Sequence, residues 1–219
     1  MESNQRPPFI DELVDDLEPV IPLTPIPFRL FATLIPSFII VLGGSFLLGW
    51  ERVFEFRMSH WSFWLEQALL LVISISATYS ALSFSVPGRS NKKLQWSPVS
   101  YLALWATLLL LLFLNWSMFS DELKNQDWHP TFFCPTVLAV MSLPAGLILA
   151  RLVLKGAVFS PSWTGFFVAL SSCAIAAFGL QMSCHVGHPA HLLLMHFLPA
   201  LIIALAGVYF GRRFLKWRL

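Results

Sequence analysis

From Tyr101 to Leu114 the chain reads YLALWATLLLLLFL, without a single charged group. Extended to residues 97–119, this run meets the requirement for crossing a bilayer: about 20 apolar residues for roughly 30 Å of hydrocarbon. No water is present at that depth to satisfy backbone amides and carbonyls, so the segment must be a helix. Five other segments have the same character, at 30–49, 65–86, 132–151, 163–183 and 190–211. None carries Asp, Glu, Lys or Arg in its interior. Glu66 stands near the start of the second span, at headgroup depth, and His196 lies one to two turns into the sixth. The expected fold is all-α, an integral membrane bundle of six transmembrane helices.

Composition agrees. Only 12% of residues are charged and 57% are hydrophobic, with a mean hydropathy of +0.70; a soluble domain carries about twice that charge. The net charge of +2 creates no bulk basic field, so direct nucleic-acid binding is not expected. No apolar run precedes residue 28, and six of the first 18 residues are acidic, which argues against a cleaved leader. Loops at 50–64 and 120–131 are too short to form domains of their own. The chain therefore divides into a tail, 1–28, and a six-helix membrane domain, 29–219.

Basic residues orient the bundle. One side holds Arg6, Arg29, Arg89, Lys92, Lys93, Arg151, Lys155, Arg212, Arg213, Lys216 and Arg218; the other holds Arg52, Arg57 and Lys124. Positive charge marks the cytoplasmic side, so both termini are expected in the cytoplasm. Trp50, Trp64, Trp96, Trp128, Trp163 and Trp217 fall at span ends, where interfacial anchoring places them.

The tail holds an amphipathic element. In residues 7–18, PPFIDELVDDLE, the apolar Phe9, Ile10, Leu13, Val14 and Leu17 recur at helical spacing, with Asp11, Glu12, Asp15, Asp16 and Glu18 between them. A helix of about three turns is marginal alone in water, so its apolar stripe needs a surface. Anionic headgroups would repel its acidic face. A partner protein with an apolar groove and a basic rim would accept it, as would the basic ends of its own spans. Pro19, Pro22, Pro25 and Pro27 cannot extend the helix and form a semi-rigid tether. Pro36, Pro144 and Pro199 lie within spans, where kinks that aid packing are expected.

All six histidines and two of three cysteines belong to the opposite, outer side. Residues 184–191, CHVGHPAH, place Cys184, His185, His188 and His191 within one turn-forming segment; Cys134 and His196 lie at neighbouring span ends. Thiolate and imidazole suit zinc, copper and similar thiophilic ions, bound transiently. In an oxidising compartment Cys134 and Cys184 could instead form a disulfide, and a plain polar loop would have the same composition. Cys173 is mid-span and reads as a packing residue. No intramembrane acid–base pair, HExxH, GxSxG or phosphate-cradling loop is present, so an enzyme is not expected. Spans free of carboxylates and lysines also weigh against ion-coupled transport. A small transporter of metal ions or other solutes is the alternative, and it would need a polar path that the spans lack.

Several short motifs in fixed order resemble one family. They are Asp11-Glu12-Leu13, Asp16-Leu17, Pro19-Val20 and Pro22-Leu23 in the tail, and Val86-Pro87-Gly88-Arg89 after span two. Cys134 with Ser142-Leu143-Pro144 follows, then Cys184 with His191 and His196, and the ending Gly211-Arg212-Arg213-Phe214-Leu215-Lys216-Trp217. Over essentially its whole length the chain resembles the negative regulator of sigma F family, six-span anti-sigma proteins of Gram-negative bacteria. The resemblance implies residence in the inner membrane and an extracytoplasmic-function sigma factor held through the tail. It also implies that Cys134 and Cys184 sense metal or oxidative stress.

Overall fold

The computed structural model describes residues 22–49, 58, 60–89, 92–115 and 132–215. The tail positions Phe9, Ile10, Asp11, Leu13, Val14, Asp16 and Leu17 lie outside them. Six long helices follow in order: α1 (Ile26–Leu47), α2 (Trp61–Ser83), α3 (Lys92–Leu114), α4 (Phe133–Leu154), α5 (Pro161–Ser183) and α6 (Pro189–Phe214). Each is long and apolar enough to cross a membrane, and the described residues contain no strand. Pro27 and Pro161 sit in the first turns of α1 and α5, where a missing N–H costs nothing.

α5 occupies the centre. In its most apolar stretch 78% of residues are buried, against 28% in α1, α3, α4 and α6. It packs on α1, α2, α4 and α6, while α3 rests on α2. Hydroxyls join the inner helices: Thr78 and Ser171 are 2.6 Å apart, and Ser171 Oγ donates to the Ser74 carbonyl at 3.3 Å. In a bilayer, where lipid removes the hydrophobic drive for helix association, bonds of this kind help to hold helices together.

α1 and α2 begin before their most apolar runs do, at Ile26 and Trp61. α1 begins at Ile26, so Arg29 lies inside the helix rather than in a flanking segment. It is only 2% exposed. Its guanidinium donates to Ser85 Oγ at 3.2 Å and to the Leu152 carbonyl, joining α1 to the exits of α2 and α4. α2 begins at Trp61, which puts Glu66 in its second turn, buried against the protein at 2% exposure. Polar residues buried against neighbouring helices can remain helical; hydropathy alone trims them from a span.

At the same end of the bundle as Arg29, α5 and α6 meet backbone to backbone. A Cβ on Gly165 would collide with the Gly207 carbonyl and approach the Gly211 Cα to 2.6 Å; one on Gly207 would approach Ala169 Cβ to 2.6 Å. Only glycine permits that approach. At the same end the Phe159 amide donates to the Phe84 carbonyl at 3.4 Å, tying the α4–α5 turn to α2. At the opposite end Ser183 Oγ donates to the Ser45 carbonyl at 2.9 Å, closing α5 onto α1.

Candidate functional site

The opposite end of the bundle carries the chemistry. α5 ends when the Cys184 amide donates to the Leu180 carbonyl at 2.9 Å and Cys184 turns to extended backbone. Residues 184–188 cross over without regular structure. His188 then caps α6, its Nδ1 accepting from the Ala190 amide at 3.1 Å, with Pro189 in the first turn. α4 starts at Phe133, so Cys134 stands in its first turn beside this crossing.

Cys134 Sγ is 4.0 Å from Cys184 Sγ and 3.6 Å from His191 Nε2, while Cys184 Sγ is 3.4 Å from the same nitrogen. His196 completes the group. One ligand atom from each of the four residues falls within 4.8 Å of the others, and all four are at most 6% exposed. Among the described residues no other set of three or more His, Cys, Asp or Glu is so gathered. None of the three cysteines is joined in a disulfide.

His196 reaches the group through a local change of helix type. Residues Leu192–Phe197 form a π-helical turn between the first turn of α6 and its regular body. In an α-helix, positions five apart point about 140° away from each other. A π turn bonds i to i+5 and stacks those positions, so His191 and His196 face one another with ring centroids 5.4 Å apart. Pro199 follows; it cannot donate to the Met195 carbonyl and its ring crowds the preceding turn, which the wider turn relieves. The Trp105 and Phe197 rings, 5.1 Å apart and edge to face, brace the segment against α3.

Electrostatics set the two thiols apart. The hydrogen bond from Cys134 holds the Cys184 thiol below its ordinary pKa, with His191 and His196 adding to the effect against the cost of burial. Burial also lowers His188, and His191 lowers it further.

Of the sequence candidates, the structure gathers Cys134, Cys184, His191 and His196. It does not gather His185, which is exposed, or His188, which is occupied as a cap. Cys173 is fully buried in the middle of α5, away from the other two. Two features were absent from the sequence reading. One is the buried Arg29, whose position next to the proline tether was visible. The other is the Gly207–Gly211 spacing on α6, a small-residue signature of close helix contact.

The model of the family described as negative regulator of sigma F matches residues 13–217. A curated relative from Azospira oryzae, described as a probable anti-sigma-F factor NrsF, is 26% identical over 160 residues, covering 71% of this chain and 72% of its own. No solved structure matches the chain significantly.

Proposed function

The chain belongs to the negative regulator of sigma F family, and from that premise we propose that it is a bacterial inner-membrane anti-sigma factor that holds an extracytoplasmic-function sigma factor through its N-terminal tail. Its role is regulatory rather than enzymatic. The observation that carries the proposal is the extent of the family match, which begins at Leu13 in the tail and runs through all six helices to Trp217. The bundle would place the tail, the Arg29 end and the C-terminus in the cytoplasm, following the basic residues. Cys134 and Cys184 would then face the periplasm and sense metal or oxidative stress.

The packing suggests how the two sides communicate. A reaction that draws Cys134 toward Cys184 pulls the outer end of α4 onto α5 and α6. Those two helices are held together by Gly165, Gly207 and Gly211 at the inner end, so α4 is the element free to respond. Its inner exit carries the Leu152 carbonyl, which accepts from Arg29 at the base of the tail. A linked outer site thus favours one packing of α4 and biases the tail between holding and releasing its partner.

Co-expression of the full chain with its sigma factor tests the proposal. The sigma factor should sediment with the membrane fraction, and a reporter fused at Leu219 should read as cytoplasmic. A soluble sigma factor, or a periplasmic reporter signal, would contradict it.

A further inference from the structure

We propose that Cys134, Cys184, His191 and His196 form a closed, four-coordinate Cys2His2 site for a thiophilic divalent metal ion of the zinc type. The inference deepens the sensor reading and rests on it for the purpose of the site, while its chemistry rests on geometry.

A tetrahedral zinc ion has bonds of about 2.3 Å to sulfur and about 2.0–2.1 Å to nitrogen, so its ligands stand about 3.8 Å apart for two sulfurs and about 3.6 Å apart for sulfur and nitrogen. The protein presents 4.0 Å between its sulfurs, and 3.6 and 3.4 Å between each sulfur and His191 Nε2. Three edges of the tetrahedron therefore exist within a few tenths of an ångström. His196 supplies the fourth corner, within 4.8 Å of the rest, and does so only because of the π turn. Wide turns of this kind are uncommon and recur at functional sites. Here the turn has an identifiable product, the second imidazole.

Charge selects the ion. Binding removes one proton from each thiol, so two protons leave as M²⁺ enters, and the imidazoles bind neutral. Two thiolates and a divalent ion sum to zero, the state that costs least at a buried position. A monovalent ion would leave a net negative charge there. Oxygen-seeking calcium or magnesium would find no oxygen ligand among the four. The ligands come from the start of α4, the end of α5 and the start of α6, so one ion fastens three helices at this end.

Purified, reduced full-length protein in detergent, titrated with Co²⁺ as the spectroscopic probe and then competed with Zn²⁺, tests the site. One ion per chain is expected, with thiolate-to-cobalt charge transfer and tetrahedral d–d absorption that zinc abolishes. Cys134→Ser and Cys184→Ser should each weaken binding at least about 100-fold, and His191→Ala and His196→Ala at least about tenfold, since even outer-shell partners of a metal site are worth 10–100-fold. His185→Ala, with unchanged affinity, controls for general damage, and helical circular dichroism of each variant controls for folding. An octahedral cobalt spectrum, or wild-type affinity in a folded His196→Ala variant, overturns the site. Reporter induction separates the two readings. Induction that depends on the cysteines without tetrahedral binding leaves the sensor and removes the metal site. Tetrahedral binding with cysteine-independent induction supports the site and removes its sensing role.

Discussion

The two ends of α5 are built on opposite principles. Near Gly165 its backbone lies against the backbone of α6, with no room for one added carbon atom. Near Cys184 it meets α4 and α6 through the tips of side chains, a thiol and an imidazole at 3.4–4.0 Å. The first contact is fixed by shape and cannot be altered by anything dissolved in water. The second consists of groups whose bonding changes with metal or oxidant. A helix pinned at one end and chemically adjustable at the other suits a device that transmits an event across its length.

The comparison is most severely tested at the glycine contact. Gly165→Leu or Gly207→Leu should cost at least about 3 kcal/mol from overpacking against backbone, enough to deplete assembled protein from the membrane. The level of protease-resistant full-length chain measures this. Cys134→Ser, at the other end, should leave that level unchanged. Equal damage at both ends would erase the distinction.

The tail hangs from the glycine end and should fail without disturbing either contact. Leu13→Asp with Leu17→Asp removes two apolar anchors, each worth about 1.5–3 kcal/mol if buried. Affinity for the sigma factor should fall at least about 100-fold, read by titration against membranes carrying the full chain. Unchanged affinity would rule out the helix-in-groove mode of binding.

A smaller effect is expected from the thiols. Cys134→Ser and Cys184→Ser should each abolish a coupling of about 1–3 kcal/mol, the common range between linked sites, and so alter induction of the target genes while the protein still inserts. The double variant should be no worse than the worse single one, because the pair acts as a unit. Cys173→Ser, in mid-bundle, should change nothing in the same reporter assay.

The smallest shift should come from Arg29→Met. This change removes the bonds to Ser85 and Leu152 while leaving the cluster of Cys134, Cys184, His191 and His196, at the other end of the bundle, untouched. Coupling should weaken by about 0.5–2 kcal/mol, as for other residues along a connecting network, a change of about 2- to 30-fold in inducer response. Cobalt binding should stay at its wild-type value. Loss of cobalt binding would mean that Arg29 supports the whole bundle rather than its own end of it.

The number and nature of the helices were legible because hydropathy over 20 residues is an average that single residues hardly disturb. Their ends were not, because Arg29 and Glu66 are polar in composition yet buried by neighbours that come from elsewhere in the chain. At the site, the cysteines and four imidazoles were legible as a set. Which imidazoles turn inward was not: His188 is taken up by a cap, and His196 is brought round by a π turn, where Pro199 marks an irregularity in the helix but not its type. The Gly207–Gly211 spacing was written in α6, but its partner Gly165 lies in another helix and only packing joins them.

The central claim is that the outer thiols and the inner tail are two ends of one device. Right-side-out vesicles holding the full chain and its sigma factor, with Cd²⁺ as a membrane-impermeant thiophilic ion added only outside, test it most directly. The amount of sigma factor bound to the membrane after rapid fractionation is the readout. Sigma factor should be membrane-bound before addition and released after it from the wild-type protein, and should stay bound with Cys184→Ser. Release of equal extent from both proteins, or from neither, would contradict the claim.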